Sequence, residues 1–259
     1  MGGLLWASSY LQAAAQEYKL WYDEPAQVWT EALPLGNGRL GAMVFGNPGV
    51  EHIQLNEETI WAGRPNNNAN PNALEYIPKV RQLVFEGKYL EAQTLATEKI
   101  MAKTNSGMPY QSFGDLHISF PGHTRYSDYY RELSLDSART IVRYKVDGVT
   151  YQRETLTSFA DQVVMVRLTA SQPGKITCNA NLTTPHQDVM VSTEGEEVTL
   201  SGVSSWHEGL KGKVEFQGRM TARSQGGTQA CRDGVLSIEG ADEAVIYISI
   251  ATNLLIIRI

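Results

Sequence analysis

The sequence predicts a mainly β protein, a large antiparallel sandwich carrying one helical hairpin near residues 73–102. Three observations predict it. Short runs of alternating apolar and polar residues recur from Leu116 to Ala251, and a period of two marks strands buried on one face. Turn dipeptides such as Asp147-Gly148 and Pro173-Gly174 separate those runs at hairpin spacing. Three- and four-residue apolar spacing is confined to Ala73–Met101.

The elements follow in order. Gly36-Asn37-Gly38 is a tight turn between two strand-like pieces. Met43-Val44-Phe45 precedes the Gly46-Asn47-Pro48-Gly49 turn, and Ile53 and Leu55 alternate with polar neighbours. Residues 66–72 (NNNANPN) form a polar loop. Leu74, Ile77, Val80 and Val84, then Tyr89, Ala92, Leu95, Ala96 and Ile100, mark helices near 73–86 and 88–102. Gly87 breaks them, and Pro78 falls in the first turn or two. Strands are then expected at Leu116–Phe120, Tyr129–Leu135, Thr140–Val146, Thr150–Thr157, Gln162–Ala170, Ile176–Leu182, Val198–Val203, Gly212–Arg223, Val235–Glu239 and Ala244–Ala251. So many short strands in one chain indicate a sandwich.

Composition bounds the function. The chain has 259 residues, 42% of them hydrophobic and 19% charged, which fits a folded globular domain. Its net charge of −6 and its lack of a basic block argue against nucleic acid as a partner. No apolar run reaches the length of a membrane span. Residues 1–16 resemble a residual secretory signal, with Ala13-Ala14-Ala15 as a small-residue cleavage site, so a periplasmic or extracellular location is expected. The domain then occupies residues 17–253. The apolar tail 254–259 (LLIIRI) reads as an atypical, truncated end. Cys178 and Cys231 lack metal-type spacing; they are two buried thiols, or a disulfide if their strands meet. His52, His117, His123 and His186 are scattered without metal-ligand spacing.

Several motifs occur in a fixed order. They are Leu20-Trp21-Tyr22, then residues 30–43 (TEALPLGNGRLGAM) and 55–63 (LNEETIWAG). Tyr110-Gln111 with Gly114-Asp115-Leu116, residues 130–136 (YRELSLD) and Tyr151-Gln152-Arg153-Glu154 follow. From about Leu20 to Asn253 the chain resembles the N-terminal domain of glycoside hydrolase family 95, the α-L-fucosidase family. The resemblance implies a super-β-sandwich. It implies a parent enzyme that removes α-L-fucose, or the similar α-L-galactose, exo-wise and with inversion. It also implies a following helical barrel that carries the acid and a carboxylate-assisted asparagine as base. On that reading the chain supplies no catalytic residue, no metal ligand and no cofactor site. The implied partners are the missing barrel and, through the full-length enzyme, a fucosylated or galactosylated glycan.

Leu33–Pro65 concentrates glycine, polar and aromatic residues, and it holds the candidate contacts: Asn37, Arg39, Asn56, Glu57, Trp61 and Arg64. These are read as substrate-binding or interdomain residues. Glu57 and Glu58 are adjacent, so on a strand they face opposite sides and cannot flank one sugar. Trp61 offers an apolar platform for a sugar ring or for the barrel. Arg39 suits a sugar, an interdomain carboxylate or a structural ion pair. Trp206-His207-Glu208-Gly209 forms a second loop cluster, with His207 and Glu208 as an ordinary hydrogen-bonded pair.

Overall fold

A computed structural model describes residues 17–102 and 107–254. The signal-like segment and residues 255–259 of the tail lie outside the described residues. Two antiparallel sheets face each other. The first holds nine strands, in spatial order β1 (Lys19–Tyr22), β6 (Ser127–Ser134), β7 (Arg139–Val146), β8 (Val149–Thr157), β9 (Val164–Ala170), β16 (Glu243–Thr252), β13 (Glu215–Gln225), β12 (Glu197–Val203) and β11 (Val189–Glu194). The second holds seven, in order β14 (Thr228–Arg232), β15 (Val235–Ala241), β10 (Ile176–Thr183), β5 (Gly114–Ser119), β4 (Val50–Glu57), β3 (Leu40–Val44) and β2 (Leu33–Gly36).

Period-two patterning builds the core. Ile53 and Leu55 of β4, Leu116 and Ile118 of β5 and Ile238 of β15 point inward from the second sheet. Val164, Val166, Ile246, Ile248 and Met220 meet them from the first. Each fully buried aliphatic side chain stabilises the fold by about 1.5–3 kcal/mol. The strands expected from Leu116 onward all form. The edge strands β1, β11 and β14 were not foreseen. β11 opens with a consecutive, exposed apolar run, Val189-Met190-Val191, and β14 alternates only weakly, so neither shows a clear period of two.

A buried ion pair enters this core. Arg153 on β8 and Glu51 on β4 project between the sheets, and their side chains are 2% and 1% exposed. Arg153 Nη1 donates to Glu51 Oε2 at 2.8 Å and to Asn47 O at 2.8 Å. Its Nη2 donates to Pro48 O and to the Tyr144 hydroxyl, each within 2.9 Å. Gly46 N closes the other carboxylate oxygen at 2.7 Å. Burial pushes the Glu51 carboxyl up. Burial also works against the Arg153 charge, but Tyr144 and Glu51 outweigh it and hold the guanidinium protonated.

The helical hairpin α1 (Ala73–Phe85) and α2 (Tyr89–Lys99) lies between β4 and β5 in sequence. Gly87 ends α1 at φ +74°. Its N–H donates to Val84 O and that of Lys88 to Leu83 O, the paired bonds of a Schellman cap. Pro78 sits in the second turn, where its missing N–H frees only the carbonyl of Leu74 near the exposed helix start. The expected apolar face is not buried as a stripe. Leu83 and Ala92 are buried, whereas Leu74 is 79% exposed and Phe85, Tyr89 and Leu90 are exposed too. Two short helices packed on each other share one seam, which is too narrow to cover the whole face.

Cys178 and Cys231 are free thiols. They lie on β10 and β14 of the same sheet with β15 between them. Strands two positions apart are about 9–10 Å apart, beyond disulfide reach. Burial pushes the Cys178 thiol up to about 12.

Candidate functional site at one end of the sandwich

Strand polarity decides where the loops gather. β4 ends at Glu57, opposite Leu40 at the start of β3. β10 ends at Thr183, opposite Asp115 at the start of β5. In the other sheet β12 ends at Val203 opposite Glu215, and β16 ends at Thr252 opposite Phe216. Loops 37–39, 158–163, 184–188 and 204–214, with residues 58–66 and 107–113, therefore share one end with Asn253 and Leu254. Polar bonds stitch them together across the two sheets.

Three of the six candidate residues make that stitching. Asn37 Oδ1 accepts from Arg39 N at 3.0 Å and Leu40 N at 2.7 Å, and its Nδ2 donates to Ser158 O at 2.7 Å. Arg39 Nε donates to Gln162 Oε1 at 2.8 Å, and Nη1 donates to Ile250 O at 2.7 Å. Glu57 is buried: Oε2 accepts from Thr59 N at 2.8 Å and Thr59 Oγ1 at 2.6 Å, while Oε1 lies 3.5 Å from Arg39 Nη1. Thr59 Oγ1 also pairs with Thr252 Oγ1 of the opposite sheet. A carboxylate with both oxygens engaged is poorly placed to act as general acid or base. Asn56 sits apart on the outer face of β4, across from Gly41, and its Oδ1 is buried without a partner among the described residues.

Trp61 and Arg64 face a groove. With Met108, Val214 and Leu254 they line a concavity of about 400 Å³. Trp61 is 43% exposed; its Nε1 donates to Glu58 O at 3.1 Å, and its ring meets Tyr110 edge-on at 5.5 Å. The Tyr110 hydroxyl donates to Glu57 O at 3.1 Å. Burial first, then the charges of Glu57 and Glu58, raise its pKa and keep it a protonated donor. Gly63 N donates to Ser205 O and Lys213 N donates to Gly63 O, so the Trp61 loop is tied to the Trp206 loop. His186 fastens the base through Ser205 Oγ at 2.9 Å and Ser112 O at 3.0 Å. Exposed Trp206 and Lys211 line a second hollow beside it. His207 closes a turn by paired backbone bonds with Leu210, and its ring nitrogen is 3.9 Å from Glu208 Oε1.

Sequence spacing alone did not reveal Tyr110 as the neighbour of Trp61. The two are separated in sequence by the whole helical hairpin, and only strand pairing joins them. Spacing also hid a cluster elsewhere. The histidines are not all scattered: β4–β5 pairing sets His52 opposite His117, with Asp115 on the same face.

Residues 20–255 match the family described as glycosyl hydrolase family 65, N-terminal domain. The chain belongs to that family. Among curated relatives, this glycosyl hydrolase N-terminal domain is 32% identical to "Alpha-L-fucosidase 2" of Arabidopsis thaliana, over 93% of the chain and 31% of that protein. It is 28% identical to "Probable alpha-fucosidase A" of Aspergillus niger, over 90% of the chain and 30% of that protein. The domain thus spans less than a third of the length of these relatives. Among solved structures, a candidate kojibiose phosphorylase from human microbiome superposes with a TM-score of 0.51 at 11% identity, covering 93% of the chain and 33% of that chain. That likeness concerns the fold. The family match and the Arabidopsis relative bear out the resemblance to the N-terminal domain of a family 95-like enzyme. The glycosyl hydrolase domain is mainly β, with two antiparallel sheets and one helical hairpin, as its sequence predicts.

Proposed function

We propose that this chain is the N-terminal domain of an exo-acting, inverting α-L-fucosidase of glycoside hydrolase family 95. One observation carries the reading: the identity to "Alpha-L-fucosidase 2" runs along 93% of the chain. Inversion needs an acid on one side of the glycosidic bond and a base that activates water on the other, about 6.5–9.5 Å apart. The parent's helical barrel supplies both. The looped end of the sandwich seats that barrel, with Trp61 and Arg64 at the contact and with Asn37, Arg39 and Glu57 holding the loops in shape.

The test starts with an aryl α-L-fucoside. The isolated chain is expected to give no turnover above background. The full-length parent is expected to release the β-anomer first, read by NMR. Turnover by the chain alone would place the chemistry here, and first release of the α-anomer would rule out inversion. In the parent, Trp61→Ala is expected to weaken domain contact by about 2 kcal/mol, the scale of a buried aromatic anchor. In the isolated chain the same change is expected to lower stability by less than about 1 kcal/mol, since Trp61 is partly exposed there. Equal losses in both would make Trp61 an internal packing residue.

A second reading is a carbohydrate-binding module, favoured by the exposed rings of Trp61 and Trp206 beside adjoining hollows. Calorimetry of the isolated chain with a fucosylated oligosaccharide decides it. Saturable heat that vanishes in Trp61→Ala supports the module; no heat excludes it.

A further inference from the structure

We propose that His52, Asp115 and His117 bind one divalent transition-metal ion of the zinc class on the outer face of the seven-stranded sheet. Strand register creates the cluster. His52 stands opposite His117, and Gln54 stands opposite Asp115. Asp115 and His117 are two residues apart, so they share a face. Their inward neighbours Ile53, Leu116 and Ile118 fill the core, which sends all three ligand side chains outward.

The donor geometry suits a small ion. One ligand atom from each residue lies within 4.8 Å of the other two. Tetrahedral bonds of about 2.0–2.1 Å need donors roughly 3.4 Å apart, so side-chain rotations of about an ångström close the set. His52 Nε2 and Asp115 Oδ1 share a hydrogen bond at 2.6 Å, so an entering ion displaces that proton and parts the two atoms by somewhat less than an ångström. The His52 ring is held between Phe45, at 4.3 Å between centroids, and His117, at 5.0 Å. That stacking restricts the imidazole before any ion arrives. The side chains of His52 and Asp115 are 32% and 25% exposed, so an ion can enter from solvent.

Ligand chemistry sets the class. Two imidazoles and one carboxylate favour zinc, cobalt, nickel or copper over calcium and magnesium, which prefer all-oxygen sites. Three protein ligands leave a position for water or a partner's side chain. The site joins neighbouring strands on the outer face of the sheet, and none of its three residues lines the groove of Trp61 and Arg64, so its occupancy is independent of the glycosidase reading.

Untagged chain, stripped with chelator, is titrated with Zn²⁺ by calorimetry. One ion per chain is expected, together with a rise in Tm that chelator reverses. Substituted Co²⁺ is expected to show visible absorption of a low-coordinate nitrogen–oxygen site. His117→Gln and Asp115→Asn are each expected to weaken Zn²⁺ binding at least tenfold. Both side chains lie on a partly exposed face, and circular dichroism checks that each variant folds. His207→Gln, at the looped end, is expected to bind as the parent chain does. Three results would overturn the assignment: unchanged binding in folded His117→Gln and Asp115→Asn, loss of binding in His207→Gln, or an equal response to Ca²⁺.

Discussion

Replacing Arg153 by methionine is expected to destabilise the domain by about 3–5 kcal/mol, read as a shift in the urea midpoint. Glu51 is the reason. Its carboxylate is 1% exposed, and with the guanidinium gone only backbone donors remain to it, Gly46 N at 2.7 Å and the N–H of His52. Asn47 O loses its donor too, while Pro48 O keeps only the distant Tyr144 hydroxyl and Tyr144 keeps His123. A buried acceptor left unpaired costs about 1–3 kcal/mol, and a buried charge more. The guanidinium also lies over the rings of Phe120 and Tyr144, at 4.3 and 5.0 Å, and methionine keeps only part of that packing. The double change Arg153→Met with Glu51→Leu is expected to recover part of the loss, because no charge is then stranded. A single-variant loss below about 1 kcal/mol would show that Glu51 is not stranded as a charge, being relieved by protonation or by water.

Gly114→Ala is the second large effect, about 3–4 kcal/mol in all. Gly114 opens β5 at φ +148°, a conformation that side chains rarely adopt and that costs about 1–3 kcal/mol. Space is short as well. A Cβ would stand 2.0 Å from Thr183 O and 2.9 Å from Thr184 Cα, both backbone atoms of the segment that ends β10. Those atoms cannot swing aside as a side chain could, so β5 must part from β10 or shift register, adding about 1–3 kcal/mol. The measurement is thermal unfolding of the purified chain. An unchanged Tm would mean that this strand junction is looser than its geometry requires.

These two positions show what could be read from the amino acids. Arg153 and Gly114 both fall in motifs that carry the family resemblance, yet neither motif says what its residue does. Arg153 sits on a strand whose alternation marks it as inward-facing, but Glu51, 102 positions earlier, looks like any polar residue next to a turn. Alternation identified the well-buried strands because each has an apolar face. It does not mark β11, whose apolar residues Val189-Met190-Val191 are consecutive and exposed rather than alternating. At the candidate site, local turn chemistry made Asn37 legible. The partners of Arg39 were not, since Gln162 and Ile250 arrive from distant sequence. The histidine cluster was hidden for the same reason: His52 and His117 become neighbours only through strand register.

The position of β16 has a consequence for how the chain is made. It is the last strand in sequence among the described residues, yet it lies inside the nine-stranded sheet, between β9 and β13. As the nascent chain leaves the ribosome, the wing from β1 to β9 and the wing from β11 to β13 wait with open edges until residues 243–252 emerge. Such edges invite mispairing. A chain stopped before Glu243 is expected to be cut readily by protease along its length; protection equal to that of the whole chain would show that the wings close without it. The domain is thus assembled like an arch whose keystone is the last of its described strands to be made.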